Sequence, residues 1–586
     1  MIVTHSLPAD AFTALGGGAG DSVVVRRLHE AQLSKHLMLL HVVAAAAAGI
    51  DPPSRAVAAF RAGYRLLARI QAADPAAVAT LLGLPHIGSW AHECLACLDN
   101  GTSPDFGYLA TAAAAVAIGL GVPFEVEVPA SAGRVSLPGL GCLEVASQDE
   151  WVRLSSDGQR LRVGGHVDLE CAALVPDDGT GEAVPYWRGT PLVRVVADGQ
   201  AWEVLLETGD KYLDRYPLPM RTAMTASDVR CWRRLIQAAW ELLLRHHAWA
   251  AGPIAEGVRV IVPFESHAGL ESAASQAAFG AIATSLPPSA VSLAETLIHE
   301  FQHVKLYGLM DMVPLVEPGG ERGYAPWRQD PRPMGGILQG VYAFTGIVRF
   351  WDTQRQVETE PDEVLQASVL YERWRLAIEL ATDTLLKGGF LTPTGARFVT
   401  ALRERGQRGE PVSAAAAEIA RDVALDNWLT WQLRHTAVDA AGVAGLAAAY
   451  QRGEPRGSEP LPDAWIKDDV RDIDAVIPRS RVLDLRFQEP RRYRQLSDAD
   501  VAGLSAADVR LVRGDADAAV AAYRAVLHVA PDPAAWIGLA LAVHRFPAET
   551  TRPVFAARLP LLFEMHACLA EQGIHADPLD LVAWFE

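Results

Sequence analysis

At 586 residues, half of them apolar and 21% charged, the chain has ordinary globular composition and is too long for one hydrophobic core; length alone suggests about three or four domains. Its net charge of −18 argues against nucleic acid and anionic membrane as main partners, because both are met by basic patches. Six cysteines make no disulfide framework at this length, and Met1–Asp10 has no basic stretch leading into an apolar core, so a cytoplasmic protein without a signal peptide is expected.

In chain order, residues 1–128 read as a helical N-terminal region. Val24–Ala48, Ala56–Gln71, Pro75–Leu82 and Leu109–Ile118 have helical patterns, broken at Asp51-Pro52-Pro53 and Asp99–Thr102. The apolar runs Leu37–Ile50 and Leu109–Val122 are Ala-rich and too short to span a bilayer, so buried helices are expected. Cys94-Leu95-Ala96-Cys97 lacks a second CxxC and lies in a helical pattern, so packing rather than redox or metal chemistry is expected. Residues 129–220 change character. Arg134–Leu137, Trp151–Leu154, Arg160–Val163, Leu192–Val196 and Trp202–Leu206 are short, partly alternating and separated by Gly, Asp and Pro, which predicts a central mixed or antiparallel sheet.

Residues 221–450 are expected as the catalytic core. A helix over Ala226–Ala248 is followed by two strands, Val258–Phe264 and Phe279–Leu286, and then by an amphipathic helix over Ser292–Leu306. Leu293, Leu297, Phe301 and Val304 form its apolar stripe. Within it stands His299-Glu300-Phe301-Gln302-His303, an HExxH motif: two imidazoles one turn apart can reach a single metal ion, with Glu300 beside them. Two strands leading into such a helix are the order in which zincin-type sites are built.

A catalytic metal usually has three protein ligands. The next helices are predicted at Met334–Arg355 and Pro361–Lys387, and the first has no Glu, Asp or His over Gly335–Arg349. Gln339 is its one amide, with Tyr342 three residues on, so Gln339 is the candidate third ligand and Tyr342 a candidate catalytic neighbour. Asp311, Glu317, Glu321 and Glu379 are the carboxylate alternatives. The Gly/Pro-rich loop Pro314–Pro333 holds Arg328 and Arg332, whose guanidiniums suit bidentate capture of a carboxylate; a salt bridge from Arg328 to Asp330 is the structural alternative, and Lys305 is the next carboxylate candidate. Residues 451–496, with Glu454–Pro462 rich in proline, read as a linker. Residues 497–586 read as helical, with Gly514–Tyr523 and Ala530–Trp536 resembling one and a half tetratricopeptide units.

Several segments together resemble a known family. Arg26–His36, Leu297–Leu306, Ala325–Pro333, Gly340–Phe344 and Arg513-Gly514-Asp515 look like the HExxH domain of ribosomal-peptide biosynthesis clusters, also found fused to radical SAM maturases. The resemblance covers nearly the whole chain, and no CxxxCxxC cluster is present, so it points to the stand-alone form. It implies an iron(II)- and 2-oxoglutarate-dependent peptide β-hydroxylase using O₂. His299, His303 and Gln339 would hold iron, and Arg328, Arg332 or Lys305 would hold the distal carboxylate of 2-oxoglutarate. Glu300 would orient ligands rather than act as a peptidase base. The partners implied are a ribosomal precursor peptide and, through the helical C-terminal region, other maturation enzymes. The expected architecture is α+β: mostly helical, with a central sheet, a zincin-like HExxH core and a partly tetratricopeptide-like end. Two other readings remain open: a zinc-dependent gluzincin-like peptidase and a non-catalytic peptide-binding scaffold.

Overall fold

A computed structural model describes residues 5–585 apart from 146–149, 165–166, 177–183, 215, 217–218, 266–270, 320, 407–408, 458–459, 468–469, 498–500, 502 and 546–550, and apart from the side chains of 551–554 and 556. Residues 458–459 of the expected linker and 498–500 of the expected C-terminal region thus lie outside the described residues. The fold is α+β, 59% helical with several small sheets. It divides into two compact units, Met1–Pro314 and Leu315–Glu586. The expected catalytic core, 221–450, is divided between them.

The first unit opens with helices Ala9–Gly16, Ser22–Ala48, Arg55–Ala73, Pro75–Leu82, Pro85–Asp99 and Tyr108–Gly119. Side chains cap several of them: Asp21, Ser54 and Asp74 each accept from a backbone N–H in the first turn. Ser22–Ala48 is long and apolar enough, by length and composition alone, to cross a membrane. That corrects the expectation for Leu37–Ile50, which joins a longer helix and is only partly buried. Leu40, Val43 and Ala47 enter the core, whereas Leu37, Met38 and Val42 are exposed. Cys94 is buried in its helix and burial pushes its thiol well above the usual range, so it stays a packed, protonated side chain.

The β-rich region does not form one sheet. Phe124–Pro129, Trp151–Ser156, Arg160–Val163 and Val167–Glu170 make an antiparallel four-stranded sheet, and Arg134–Leu137, Gly141–Glu144 and Trp187–Gly189 a three-stranded one. The hairpin Leu192–Ala197 and Gln200–Leu206 turns at Asp198-Gly199, both at positive φ, the two-residue turn that matches strand twist. It belongs to a five-stranded mixed sheet that crosses the expected boundary at residue 220. There Gln200–Leu206 pairs in parallel with Val260–Pro263 after the helices Ala226–His246 and Ala248–Gly257. Val260–Pro263 pairs in parallel with Ala281–Thr284, and an antiparallel edge strand, Ser272–Ala274, completes the sheet. Val260–Pro263 and Ala281–Thr284 are buried at every residue, as parallel strands covered on two faces are. The HExxH helix, Ala290–Met310, packs on this sheet and closes the unit.

In the second unit Met334–Val357, Pro361–Lys387, Pro393–Gly406 and Ala414–His435 pack as neighbouring helices. The stretch expected as a linker carries the strand Ala464–Ile466, paired with Thr436–Val438, and the helices Ile477–Gln488 and Pro490–Arg494. Its Arg479 is fully buried and pairs with Asp426 and Asp508, both at 3.0 Å. Helices Ala506–Val512, Ala516–Val529, Pro533–His544, Thr551–Glu571 and Pro578–Trp584 complete the unit.

Candidate functional site

The HExxH helix starts at Ser289, whose side chain accepts from the Ser292 N–H, and buries Leu293, Leu297, Phe301 and Val304, the apolar stripe read from the sequence. Its seating depends on one close approach. A Cβ on Gly257 would lie 2.2 Å from the Phe301 ring, so only glycine lets the preceding helix come so near. At the far end Asp311 accepts from Gln32, Lys35 and Gln276 at 2.8, 2.7 and 2.9 Å. Its carboxylate is therefore committed to fixing Ser22–Ala48 against the HExxH helix. The histidines of the opening motif are structural as well. His29 meets the Glu256 carbonyl at 3.1 Å and His36 the Leu82 carbonyl at 2.7 Å, and burial lowers the pKa of both.

His299 and His303 stand with ring centroids 5.0 Å apart at 75°. Removal from water, then the neighbouring His303, lowers His299 to about 3, so its imidazole is neutral. Glu300 is 2% exposed, and Oε1 accepts from the Ser272 hydroxyl at 2.6 Å. Burial raises its pKa, against the opposing pull of His303 and of the Ser272 hydrogen bond. Its other oxygen, Oε2, is buried without a hydrogen-bond partner. Two adjacent imidazoles, that of His299 neutral, and an unsatisfied carboxylate oxygen are a donor set that fits a cation. Among the described residues, however, no group of three or more His, Cys, Asp or Glu is placed to share one. Among the described residues, the pair therefore has no third side chain of those types placed with it.

Two site features were not read from the sequence. Ser272 fixes one carboxylate oxygen from a three-residue strand, Ser272-Ala273-Ala274, too short and too small-chained to show a β pattern. Tyr216 lies in a Pro-flanked segment with no periodicity. It sets its ring against Phe264, centroids 5.4 Å apart, and its hydroxyl is buried without a hydrogen-bond partner.

Lys305 does not face the site. It is 3% exposed and its ammonium donates to the Ala19 carbonyl at 2.9 Å, while Gln302 donates to Gly18 at 3.1 Å. Both side chains clip the N-terminal loop onto the far face of the helix, because positions 302 and 305 lie around the helix from 299 and 303. This corrects the expectation of a cosubstrate contact.

Arg328, Arg332, Gln339 and Tyr342 belong to the second unit. Arg328 and Arg332 both donate to Asp330, at 3.0 and 3.1 Å, so both guanidiniums are turned to one carboxylate of their own loop. Trp327 explains the rest of that motif. It stacks on Phe344 at 5.0 Å and lies over Gly340, where a Cβ would come within 2.1 Å of the indole. Gln339 is only partly buried rather than enclosed. Tyr342 is fully buried and stacked on Phe398 at 5.6 Å. Of the carboxylate alternatives, Glu379 pairs with Arg375 at 3.4 Å, and Glu317 and Glu321 are exposed.

No protein-family model matches the chain, and no curated protein matches it.

Proposed function

We propose that the chain is an iron(II)- and 2-oxoglutarate-dependent β-hydroxylase of a ribosomally made precursor peptide, acting in the cytosol. The observation that carries this reading is the His299–His303 pair, one turn apart with His299 neutral, beside a buried carboxylate with one unsatisfied oxygen. The motif resemblance supplies the identity of the metal and cosubstrate. His299 and His303 would hold the metal. Iron(II), when bound there, would supply O₂ activation coupled to 2-oxoglutarate decarboxylation. Ser272 holds Glu300 in one orientation, and the apolar packing of the helix around Leu297 and Phe301 keeps bulk water from the carboxylate. The mixed sheet followed by the HExxH helix supports a zincin-like core, and the terminal helices support a partly tetratricopeptide-like surface for other maturation enzymes.

The test is direct. Protein, iron(II), 2-oxoglutarate, O₂ and the precursor peptide encoded beside the gene are incubated together, and mass spectrometry is expected to show the gain of one oxygen atom. An unchanged peptide mass with no succinate formed rejects the reading. The free oxygen of Glu300 also favours a second reading, a zinc-dependent peptidase with Glu300 as general base. Cleavage of the peptide with zinc alone would select it.

A further inference from the structure

The five-stranded sheet gathers four side chains of the first unit at one end. Tyr216 packs on Phe264, the residue that follows the strand Val260–Pro263. The Phe264 N–H donates to the Thr284 carbonyl at 3.0 Å, and Thr284 stands opposite Ser272 in the register of the edge strand. Ser272 in turn holds Glu300. This end is the carboxyl end of the two parallel strands, where open mixed sheets place their ligands.

Among the described residues, two buried polar atoms there lack hydrogen-bond partners: the Tyr216 hydroxyl and Glu300 Oε2. Each such atom has given up its hydration without a replacement, so folded proteins keep few of them without a ligand or water to satisfy them. The two are electrostatic neighbours. After burial, the largest effect, the nearness of Glu300 is what raises the proton affinity of the Tyr216 phenol. They nonetheless do not bond to each other. What satisfies both must accept from the phenol and donate to the carboxylate. A carboxylate ligand such as 2-oxoglutarate cannot donate and would be repelled by Glu300. An amide supplies a carbonyl acceptor and an N–H donor, each with a fixed role.

We infer that Tyr216 and Glu300 form a donor–acceptor pair that binds an amide group of the substrate peptide beside His303. The assignment rests on the proposed function only in taking the substrate to be a peptide.

The test uses the full-length, metal-free chain and a fluorescein-labelled copy of the precursor peptide encoded beside the gene, read by fluorescence anisotropy. Tyr216→Phe keeps the ring on Phe264 and removes one hydroxyl. It is expected to raise the Kd about fivefold, the factor for one neutral hydrogen bond. Glu300→Gln is expected to weaken binding as well, and the double variant by less than the product of the two factors, since one amide is shared. Exposed Tyr186, substituted as Tyr186→Phe, serves as the control and is expected to bind as the parent does. The melting temperature of Tyr216→Phe is expected to equal or exceed that of the parent, because the lost hydroxyl had no partner in the free protein.

Parent-like peptide affinity in Tyr216→Phe overturns the assignment and leaves water as the pair's occupant. A clear fall in melting temperature overturns it too, by showing that the hydroxyl is structural. Peptide that binds in this pattern but never gains oxygen rejects the hydroxylase reading and supports the pair. Peptide that does not bind the parent at all rejects both.

Discussion

At the scale of single residues, the candidate site is defined by what burial does to its polar groups. His299 is neutral because its surroundings exclude water, and Glu300 keeps one oxygen for a group the free protein does not supply. His299→Ala and His303→Ala each remove half of the imidazole anchor. Both variants are expected to lose bound iron in an elemental assay, with circular dichroism unchanged. A variant that keeps one metal per chain would refute the anchor. Glu300→Gln is expected to stabilise the metal-free protein by about 1–2 kcal/mol in urea, since it removes a buried charge whose second oxygen is unpaired and leaves an amide in its shape. Lower stability would mean that Glu300 is bonded more fully than its surroundings show. The expected gain in stability marks the carboxylate as kept for function.

At the scale of elements, the HExxH helix is positioned from both ends and both faces: by Ser289 and Asp311 at its termini, by Gly257 under Phe301, and by Gln302 and Lys305 on the reverse side. Behind it, a second buried network joins the helix Pro85–Asp99 to the end of the strand Gln200–Leu206. His86 meets Glu207 at 2.9 Å with both side chains buried, and Tyr108 and Ser136 donate to Asp210 at 2.6 and 2.8 Å. Burial opposes the charge on His86, but its bond to Glu207 and the charges of Asp210 and Glu207 outweigh it, so its pKa rises. Burial likewise opposes the charge on Glu207, and His86 with two backbone N–H donors outweighs it, so that pKa falls. The raised histidine contributes stability that is complete below its unfolded value near 6.5 and is lost as pH rises through its folded pKa; the depressed carboxylate contributes stability that is complete above about 4.3 and is lost as pH falls through its folded pKa. Both contributions are therefore whole between about pH 4.3 and 6.5. His86→Leu strands Glu207 and is expected to cost about 3–5 kcal/mol at pH 7, and less in acid where Glu207 takes a proton. A pH-independent loss in urea unfolding would show that the pair is not ionised.

The helices and most strands of this chain were legible because their signals are local: helical spacing from Pro361 to Lys387, and the Asp198-Gly199 turn between alternating strands. The HExxH pair was legible for the same reason, since both histidines sit on one helix. Ser272 and Tyr216 were not. Ser272 bonds to Glu300 by way of sheet pairing, and Tyr216 comes within range of its charge by packing on Phe264, neither of which leaves a periodic trace. Lys305 was misread because a lone cation in a helix shows its charge but not its face.

For the molecule as a whole, the sequence places boundaries at 450/451 and 496/497, where proline-rich composition suggests separation. The second unit runs across both. Arg479, inside the supposed linker, joins Asp426 of Ala414–His435 to Asp508 of Ala506–Val512, donates to the Ala534 carbonyl at 3.1 Å, and shares Asp508 with the Tyr523 hydroxyl. Burial works against this guanidinium, and the charges of Asp426 and Asp508 overcome it. One side chain thus clamps helices drawn from three expected regions. Arg479→Met removes the cation and leaves two buried carboxylates facing each other, a loss expected to cost about 3–5 kcal/mol. Replacing the set together, as Arg479→Met with Asp426→Leu and Asp508→Leu, is expected to restore much of it, because no charge is then stranded. Limited proteolysis with mass mapping is the measurement, since it reports where the chain opens. In Arg479→Met, cleavage is expected to rise first within Leu315–Glu586 and to fall back in the triple variant. Cleavage confined to residues 451–496, with the flanking helices still protected, would show that this stretch behaves as the linker its composition suggests.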